Sequence, residues 1–117
     1  MVADYERDVA AQRVVVVEKA GRVSGYMVAW READAYFIEN IGVEPSCQDA
    51  GLGRQLMDYA TAEAARMLLP AICLYTNAAM FENLSMYTHL GFVETHRVEE
   101  SGFKRVYMRL SLAERPR

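Results

Sequence analysis

The fold is decided by residues 36–56, which read YFIENIGVEPSCQDAGLGRQL. Residues 36–43 are rich in aromatic and β-branched side chains and predict a strand. Further along, apolar residues recur every fourth position and predict one face of a long helix: Leu52, Leu56, Ala60, Ala64 and Leu68. The connection from strand to helix is therefore a turn that contains two glycines.

This turn has the features of an anion-binding site. Gly51 and Gly53 fall in the first turn of the predicted helix, where backbone N–H groups lack an intrahelical acceptor and the helix dipole is positive. Glycine also has no Cβ to keep a diphosphate from approaching. The Gly-x-Gly-x-x-Gly and Gly-Lys-Ser/Thr fingerprints are both absent. A tight connection without a ligand fits the same residues, so a second segment must decide.

The remaining pattern predicts a mixed α/β sheet in the order β-β-β-α-β-α-β-β, formed by a single domain over residues 1–117. The predicted strands are residues 13–18, 23–31, 36–43, 71–76, 92–98 and 103–110. The first two form a hairpin, and the third is expected antiparallel to its neighbour. A right-handed crossover through the long helix makes residues 36–43 and 71–76 parallel. Residues 80–90 predict a second helix that Gly91 ends, and residues 3–12 predict a short surface helix or a frayed start.

Composition excludes several classes of protein. The net charge of −3 over 117 residues argues against nucleic acid as the main partner. The longest apolar run, Val14 to Val17, is too short to span a bilayer, and Met1 is not followed by a basic and then apolar leader. We therefore expect a cytoplasmic protein without membrane contact. Cys47 and Cys73 lack metal-ligand spacing, which predicts no metal site.

Two segments together resemble the GCN5-related N-acetyltransferase (GNAT) family. Residues 41–53 contain Ile-Gly-Val-Glu-Pro and then Gln-x-x-Gly-x-Gly, similar to the family's Arg/Gln-x-x-Gly-x-Gly/Ala motif. Residues 83–92, NLSMYTHLGF, are similar to its later Tyr-x-x-Leu-Gly-Phe segment. The resemblance covers residues 13–110 and implies the GNAT acyl-CoA N-acyltransferase fold with a shortened N-terminus.

The resemblance implies acetyl-CoA, a form of coenzyme A, as the acetyl donor. Its pantetheine arm would pair with the backbone of the strand through Ile41 and Val43, where the neighbouring strand is expected to splay away. Its diphosphate would be held by the amides of these turn residues: Gln48, Asp49, Ala50, Gly51, Leu52, Gly53 and Arg54.

Two side chains are candidate catalytic residues. Tyr87 matches the family tyrosine whose hydroxyl approaches the thioester sulfur, and Asn83, one helical turn away, would bind the cofactor or fix Tyr87. Glu39 is the candidate base, because regular alternation places it on the face of Ile41 and Val43. A core role for Tyr87 and a solvated Glu39 remain alternatives, and a bulge would redirect Glu39.

The expected activity is N-acetyl transfer to an amine of a small molecule or peptide, by direct attack. Two departures from the family pattern favour alternatives. Gln48 stands where arginine is commoner, and only a short segment precedes Arg13, where family members have a strand and two helices. The alternatives are a non-catalytic acyl-CoA-binding domain and a chain whose natural start lies upstream. A homodimer partner could instead complete the acceptor site.

Overall fold

The structure is a computed structural model that describes residues 2–4, 14–44 and 51–112. Within these residues two helices accompany the sheet, α1 (Leu52–Arg66) and α2 (Phe81–His89). The strands are β1 (Val2–Asp4), β2 (Val14–Lys19), β3 (Arg22–Glu32), β4 (Ala35–Val43), β5 (Ala71–Asn77), β6 (Val93–Glu100) and β7 (Phe103–Ser111). The predicted order of elements from residue 13 onward is confirmed.

All described strands belong to one mixed sheet in the order β1-β2-β3-β4-β5-β7-β6. β4 and β5 are parallel and joined through α1, whereas every other neighbouring pair is antiparallel. Residues 3 and 4 belong to β1, so the helix or frayed start expected there is wrong for them. Val2 pairs with Val17 and Asp4 with Val15, and this pairing supplies the strand conformation that the short sequence does not signal. The rest of that prediction, residues 5–12, lies outside the described residues.

The turns between β2 and β3 and between β6 and β7 have the geometry that matches the twist of a sheet. Ala20 and Gly21 have φ values of 54° and 79°, and Ser101 and Gly102 have φ values of 52° and 81°. Positive φ at both central residues is characteristic of the type I′ turn, which continues the right-handed twist of the flanking strands. These turns fix the registers of the β2–β3 and β6–β7 hairpins.

Both helices pack on one face of the sheet and bury the hydrophobic core. Leu56 and Ala60 of α1 are fully buried, as is Ile72 of β5. Tyr87 of α2 and Phe92, which follows it, belong to the same core cluster. Among the residues that the structure describes, no helix is long and apolar enough to cross a bilayer.

The long helix ends earlier than the sequence predicts. α1 ends at Arg66, before Pro70, and Leu68 is 90% exposed with a φ of 60°. The amides of Leu68 and Leu69 donate to the carbonyls of Ala65 and Ala64, which closes the helix with a left-handed residue at Leu68. Leu68 therefore does not belong to the buried helical face, because the turn has already reversed.

Candidate active site

A β-bulge interrupts β4 at Glu39. Val28 of β3 pairs with Asn40, and the next residue, Ala29, pairs with Ile38, so Glu39 is the extra residue. A bulge bends its strand and increases the local twist. The sheet therefore changes direction at this point of β4.

The bulge also changes the direction expected for Glu39. Ile38 before the bulge and Ile41 and Val43 after it all pack against the hydrophobic core, whereas Glu39 is exposed. Regular alternation cannot put Ile38 and Ile41 on one face, so the alternation from which the direction of Glu39 was predicted does not continue through the bulge. Glu39 nevertheless lines the cavity that the bulge helps to open.

β4 and β5 diverge after the bulge and leave a cleft between them. Their parallel pairing runs from Ala35 opposite Ala71 to Ile38 opposite Leu74 and stops there, although both strands continue. The divergence expected next to Ile41 is therefore present. The cleft contains a cavity of about 310 Å³. Its lining residues come from β4, β5, α2 and the connection between them: Ile38, Glu39, Asn40, Ile41, Leu74, Tyr75, Thr76, Asn77, Met80, Asn83 and Tyr87.

The first turn of α1 presents backbone donors that have no acceptor among the described residues. The first intrahelical hydrogen bond runs from the Gln55 amide to the Gly51 carbonyl at 3.0 Å. The amides of Leu52, Gly53 and Arg54 precede that bond, so they have no acceptor within the helix. No side chain of the described residues caps this end, and no acidic residue lies in the first turn. The positive end of the helix dipole is therefore not neutralised by a residue of that turn.

No described residue fills the space in front of this turn. Gly51 is the N-cap residue, and its φ of 78° lies in the left-handed region that favours glycine. A Cβ added to Gly51 or Gly53 would meet no described atom within 4 Å. The predicted placement of Gly51, Leu52, Gly53 and Arg54 at the start of the helix is confirmed. Three further predicted turn residues lie outside the described residues: Gln48, Asp49 and Ala50.

Tyr87 carries a buried hydroxyl group into the cavity. The residue is 4% exposed and lines the cavity from α2. No described residue forms a hydrogen bond with its hydroxyl. Burial alone raises the pKa of Tyr87, because the phenolate loses its solvation. A phenol that is protonated, buried and without a partner among the described residues is available to a ligand.

The end of α2 fixes the position of Tyr87. The Phe92 amide donates to the Tyr87 carbonyl at 3.0 Å, and the Gly91 amide donates to the Thr88 carbonyl at the same distance. These two bonds form a Schellman motif with Gly91 in the left-handed position, at a φ of 107°. The predicted helix end at Gly91 is thus confirmed, with Leu90 as the C-cap.

Asn83 lies one turn before Tyr87 and lines the same cavity. Its side chain is half-buried, and its Nδ2 atom donates to the Met80 sulfur at 3.6 Å. Sulfur is a weak acceptor, so this contact leaves the amide group able to bind a ligand. The structure thus brings Asn83, Tyr87, Glu39 and Ile41 to one cavity.

Sequence reasoning missed the β5 side of the cavity. Tyr75, Thr76 and Asn77 line it but were not singled out. The available signal was Thr76, a polar residue in the alternating row that otherwise buries Ile72 and Leu74. Polar residues in such a row are uncommon and point to a partner or a ligand.

Comparison with known proteins identifies the family. The family model for the acetyltransferase (GNAT) domain matches residues 10–94, which is most of the chain. This protein therefore belongs to the GNAT acetyltransferase family. No protein with a curated description is significantly similar to it in sequence.

Solved structures agree with this fold. Ard1 from Thermoplasma volcanium superimposes with a TM-score of 0.81 at 21% identity, covering 91% of this chain and 74% of that one. The ribosomal-protein-S18-alanine N-acetyltransferase from Escherichia coli gives a TM-score of 0.74 at 21% identity, with 85% and 68% covered. A GNAT acetyltransferase from Elizabethkingia anophelis, crystallised with acetyl-CoA, gives a TM-score of 0.73 at 18% identity, with 85% and 75% covered. At these identities the likeness shows the shared fold.

Proposed function

We propose that this protein transfers the acetyl group of acetyl-CoA directly to an amine. The observation that carries this proposal is the buried Tyr87 hydroxyl, which lines the cleft between β4 and β5 and has no partner among the described residues. Leaving a buried hydroxyl unsatisfied costs about 1–3 kcal/mol. A phenylalanine would avoid that cost in a purely structural role, so the hydroxyl fits a ligand in the cleft.

The described residues fit coenzyme A at two further places. The amides of Leu52, Gly53 and Arg54 have no acceptor among the described residues, and no described atom lies close to a Cβ at Gly53, so this turn suits a diphosphate. Past Ile38, the edge of β4 that faces β5 has no partner among the described strands, so its backbone can pair with the amides of a pantetheine arm. We assign that backbone contact to Ile41 and Val43, whose side chains remain in the core. Gln48, Asp49 and Ala50 complete the proposed diphosphate site, and Asn83 is assigned to the bound arm.

The residues of the cleft have different proposed roles in acyl transfer. When bound, acetyl-CoA supplies an activated acyl group: the amine nitrogen bonds to the carbonyl carbon, the C–S bond breaks, the nitrogen loses one proton and the sulfur gains one. Tyr87 would face the leaving sulfur and donate its hydroxyl proton to it as negative charge develops there. Its raised pKa keeps it protonated at neutral pH, so the donor is always present.

Glu39 is the proposed base. It is exposed, lines the cavity and lies at the bulge, where β4 bends away from β5. From this position its carboxylate takes the amine proton directly or through one water molecule. The mouth of the cleft beside Glu39 is accordingly the place where the acceptor enters.

The acceptor and the assembly state complete the proposal. Membership of the GNAT family supports an amine as acceptor, and the net charge of −3 supports a small molecule or peptide and not a nucleic acid. We place the reaction in the cytoplasm and expect a homodimer, because among the described residues only the three of β1 pair with the outer edge of β2 and leave part of it uncovered. Sedimentation equilibrium tests the dimer, and a mass of 13.2 kDa would contradict it.

The activity is tested by release of free thiol from acetyl-CoA in the presence of amines: peptides with free N-termini, lysine and polyamines. The Tyr87→Phe variant should lose about 10²-fold or more in kcat and still bind coenzyme A. Tyr107→Phe, on the opposite face of the sheet, is the matched control and should keep full activity. Binding of coenzyme A without thiol release from any amine would show a non-catalytic acyl-CoA-binding domain instead.

A further inference from the structure

A second buried hydroxyl lines the same cavity. Thr76 on β5 is 7% exposed, and no described residue forms a hydrogen bond with its side chain. The other buried polar residue of the described core, Ser24, does have a bond, from its hydroxyl to the Arg22 carbonyl. Thr76 therefore carries a polar group that the described fold does not use.

The position of Thr76 relates it to Tyr87. Leu74 is the last β5 residue that pairs with β4, and Thr76 lies two positions after it. Thr76 belongs to the same buried row as Leu74 and therefore faces the helices. Its backbone pairs with Val106 of β7 on the other edge, which holds the strand in place. Thr76 therefore lies where the cleft opens, on the face of the sheet that α2 covers.

A structural role does not explain the hydroxyl. Valine has the same shape as threonine and would fill the same space beside Val106 without burying a polar group. The β-branched shape suits the strand in either case. The hydroxyl is thus the part of Thr76 that needs a ligand to be satisfied.

We infer that the Thr76 hydroxyl donates a hydrogen bond to the carbonyl oxygen of the bound acyl thioester. The inference rests on the proposed function, in which Tyr87 meets the sulfur of the same group. The carbonyl carbon is bonded directly to that sulfur, and the carbonyl oxygen is the polar atom that an acetyl group adds to coenzyme A. A donor at Thr76 therefore recognises the acylated form of coenzyme A in preference to the free thiol. It also supports the negative charge that develops on this oxygen during attack.

The test compares two ligands by titration calorimetry in the absence of amine: acetyl-CoA, which has the carbonyl oxygen, and coenzyme A, which lacks it. Thr76→Val should weaken acetyl-CoA about tenfold, the effect of one lost hydrogen bond, and leave the affinity for coenzyme A within about twofold. Thr76→Ser should retain the preference for acetyl-CoA. Thr61→Val, which removes a hydroxyl bound to the Met57 carbonyl on α1, should change neither affinity.

The outcomes separate this inference from the function on which it rests. If Thr76→Val lowered the affinity for both ligands equally, the hydroxyl would contact the pantetheine arm that both share. That result would overturn the inference. Unchanged affinities of the variant for both ligands would also overturn the inference. In that case the proposed function would still stand, because the wild type would bind both ligands. Failure of the wild type to bind either ligand would overturn both. The unliganded Thr76→Val variant should melt at or above the wild-type temperature, because it loses only an unsatisfied group.

Discussion

The rings of Tyr87 and Phe92 meet edge to face with centroids 5.6 Å apart, and the Phe92 amide donates to the Tyr87 carbonyl. Both contacts come from the Leu-Gly-Phe end of α2. The hydrophobic contact between the residue after the left-handed glycine and the last turn of the helix is the usual companion of a Schellman motif. In this protein the motif holds the residue to which we assign proton donation.

Replacement of Gly91 should therefore affect the proposed activity as well as stability. Its φ of 107° disfavours any L side chain, and a Cβ would lie 3.2 Å from Cδ1 of Leu110. Gly91→Ala should lower the free energy of unfolding by about 1–3 kcal/mol and reduce kcat more than affinity for acetyl-CoA. Gly102→Ala is the matched control, with positive φ in the β6–β7 turn. The Gly102→Ala variant should lose stability and keep the wild-type kcat. Equal turnover in the two variants would show that the helix end does not position Tyr87.

Alkaline pH should destabilise the protein partly through Tyr87. Burial raises its pKa, so the folded chain holds this proton at a pH where the unfolded chain, with a pKa of about 10, has lost it. The stabilisation is complete below about pH 10 and is lost as the pH rises through the folded pKa. Thermal melts from about pH 9 to 11 should show a steeper fall in Tm for the wild type than for Tyr87→Phe. Parallel curves would contradict the buried, partnerless phenol.

A negative charge at Gly53 should separate cofactor binding from stability. No described atom lies within 4 Å of a Cβ added at Gly53, and a carboxylate near a helix N-terminus stabilises the helix by about 0.3–1 kcal/mol. Gly53→Asp should thus melt at or slightly above the wild-type temperature and bind coenzyme A at least about tenfold more weakly, since it repels the diphosphate. Gly53→Asn has nearly the same shape without the charge and should bind more tightly than the aspartate variant. Equal affinities in calorimetry would argue against a diphosphate at this turn.

Leu68 is a site where stability should increase. It is exposed and left-handed, a conformation that costs an L residue about 1–2 kcal/mol and glycine nearly nothing. Leu68→Gly should raise the free energy of unfolding by about 1 kcal/mol in urea titrations. Leu68→Ala keeps the Cβ and should not reproduce the gain. A loss of stability in the glycine variant would indicate that Leu68 contacts part of the chain outside the described residues.

Local signals predicted most of the fold. The hairpin of residues 13–31 and the helix end at Gly91 depend on residues adjacent in sequence, so they could be located in advance. β1 could not be predicted, because its three residues carry no pattern and become a strand only by pairing with β2. The end of α1 was misplaced because leucine at position 68 gives no sign of a left-handed conformation.

Features of the candidate site could be predicted when they depend on a single helix or strand, but not when they depend on contacts between two. Tyr87 and Asn83 share one helix, and their common cavity follows from helical spacing. The direction of Glu39 depends on a bulge set by pairing with β3, which alternation in β4 alone does not reveal. The unsatisfied hydroxyl of Thr76 became visible only when the packing around β5 was known. The catalytic and cofactor roles of these residues, and the extent of the domain, stay predictions.

The central claim is that acetyl-CoA spans the first turn of α1 and the open edge of β4, and amide chemical shifts test it most directly. On titration of ¹⁵N-labelled protein with acetyl-CoA, the amide protons of Gly53 and Arg54 should move downfield as they donate to phosphate. The amides of Ile41 or Val43 should become protected from exchange with solvent. Saturating acetyl-CoA that leaves all four amides unchanged, or that shifts only resonances on the sheet face opposite the helices, would contradict the proposed binding mode.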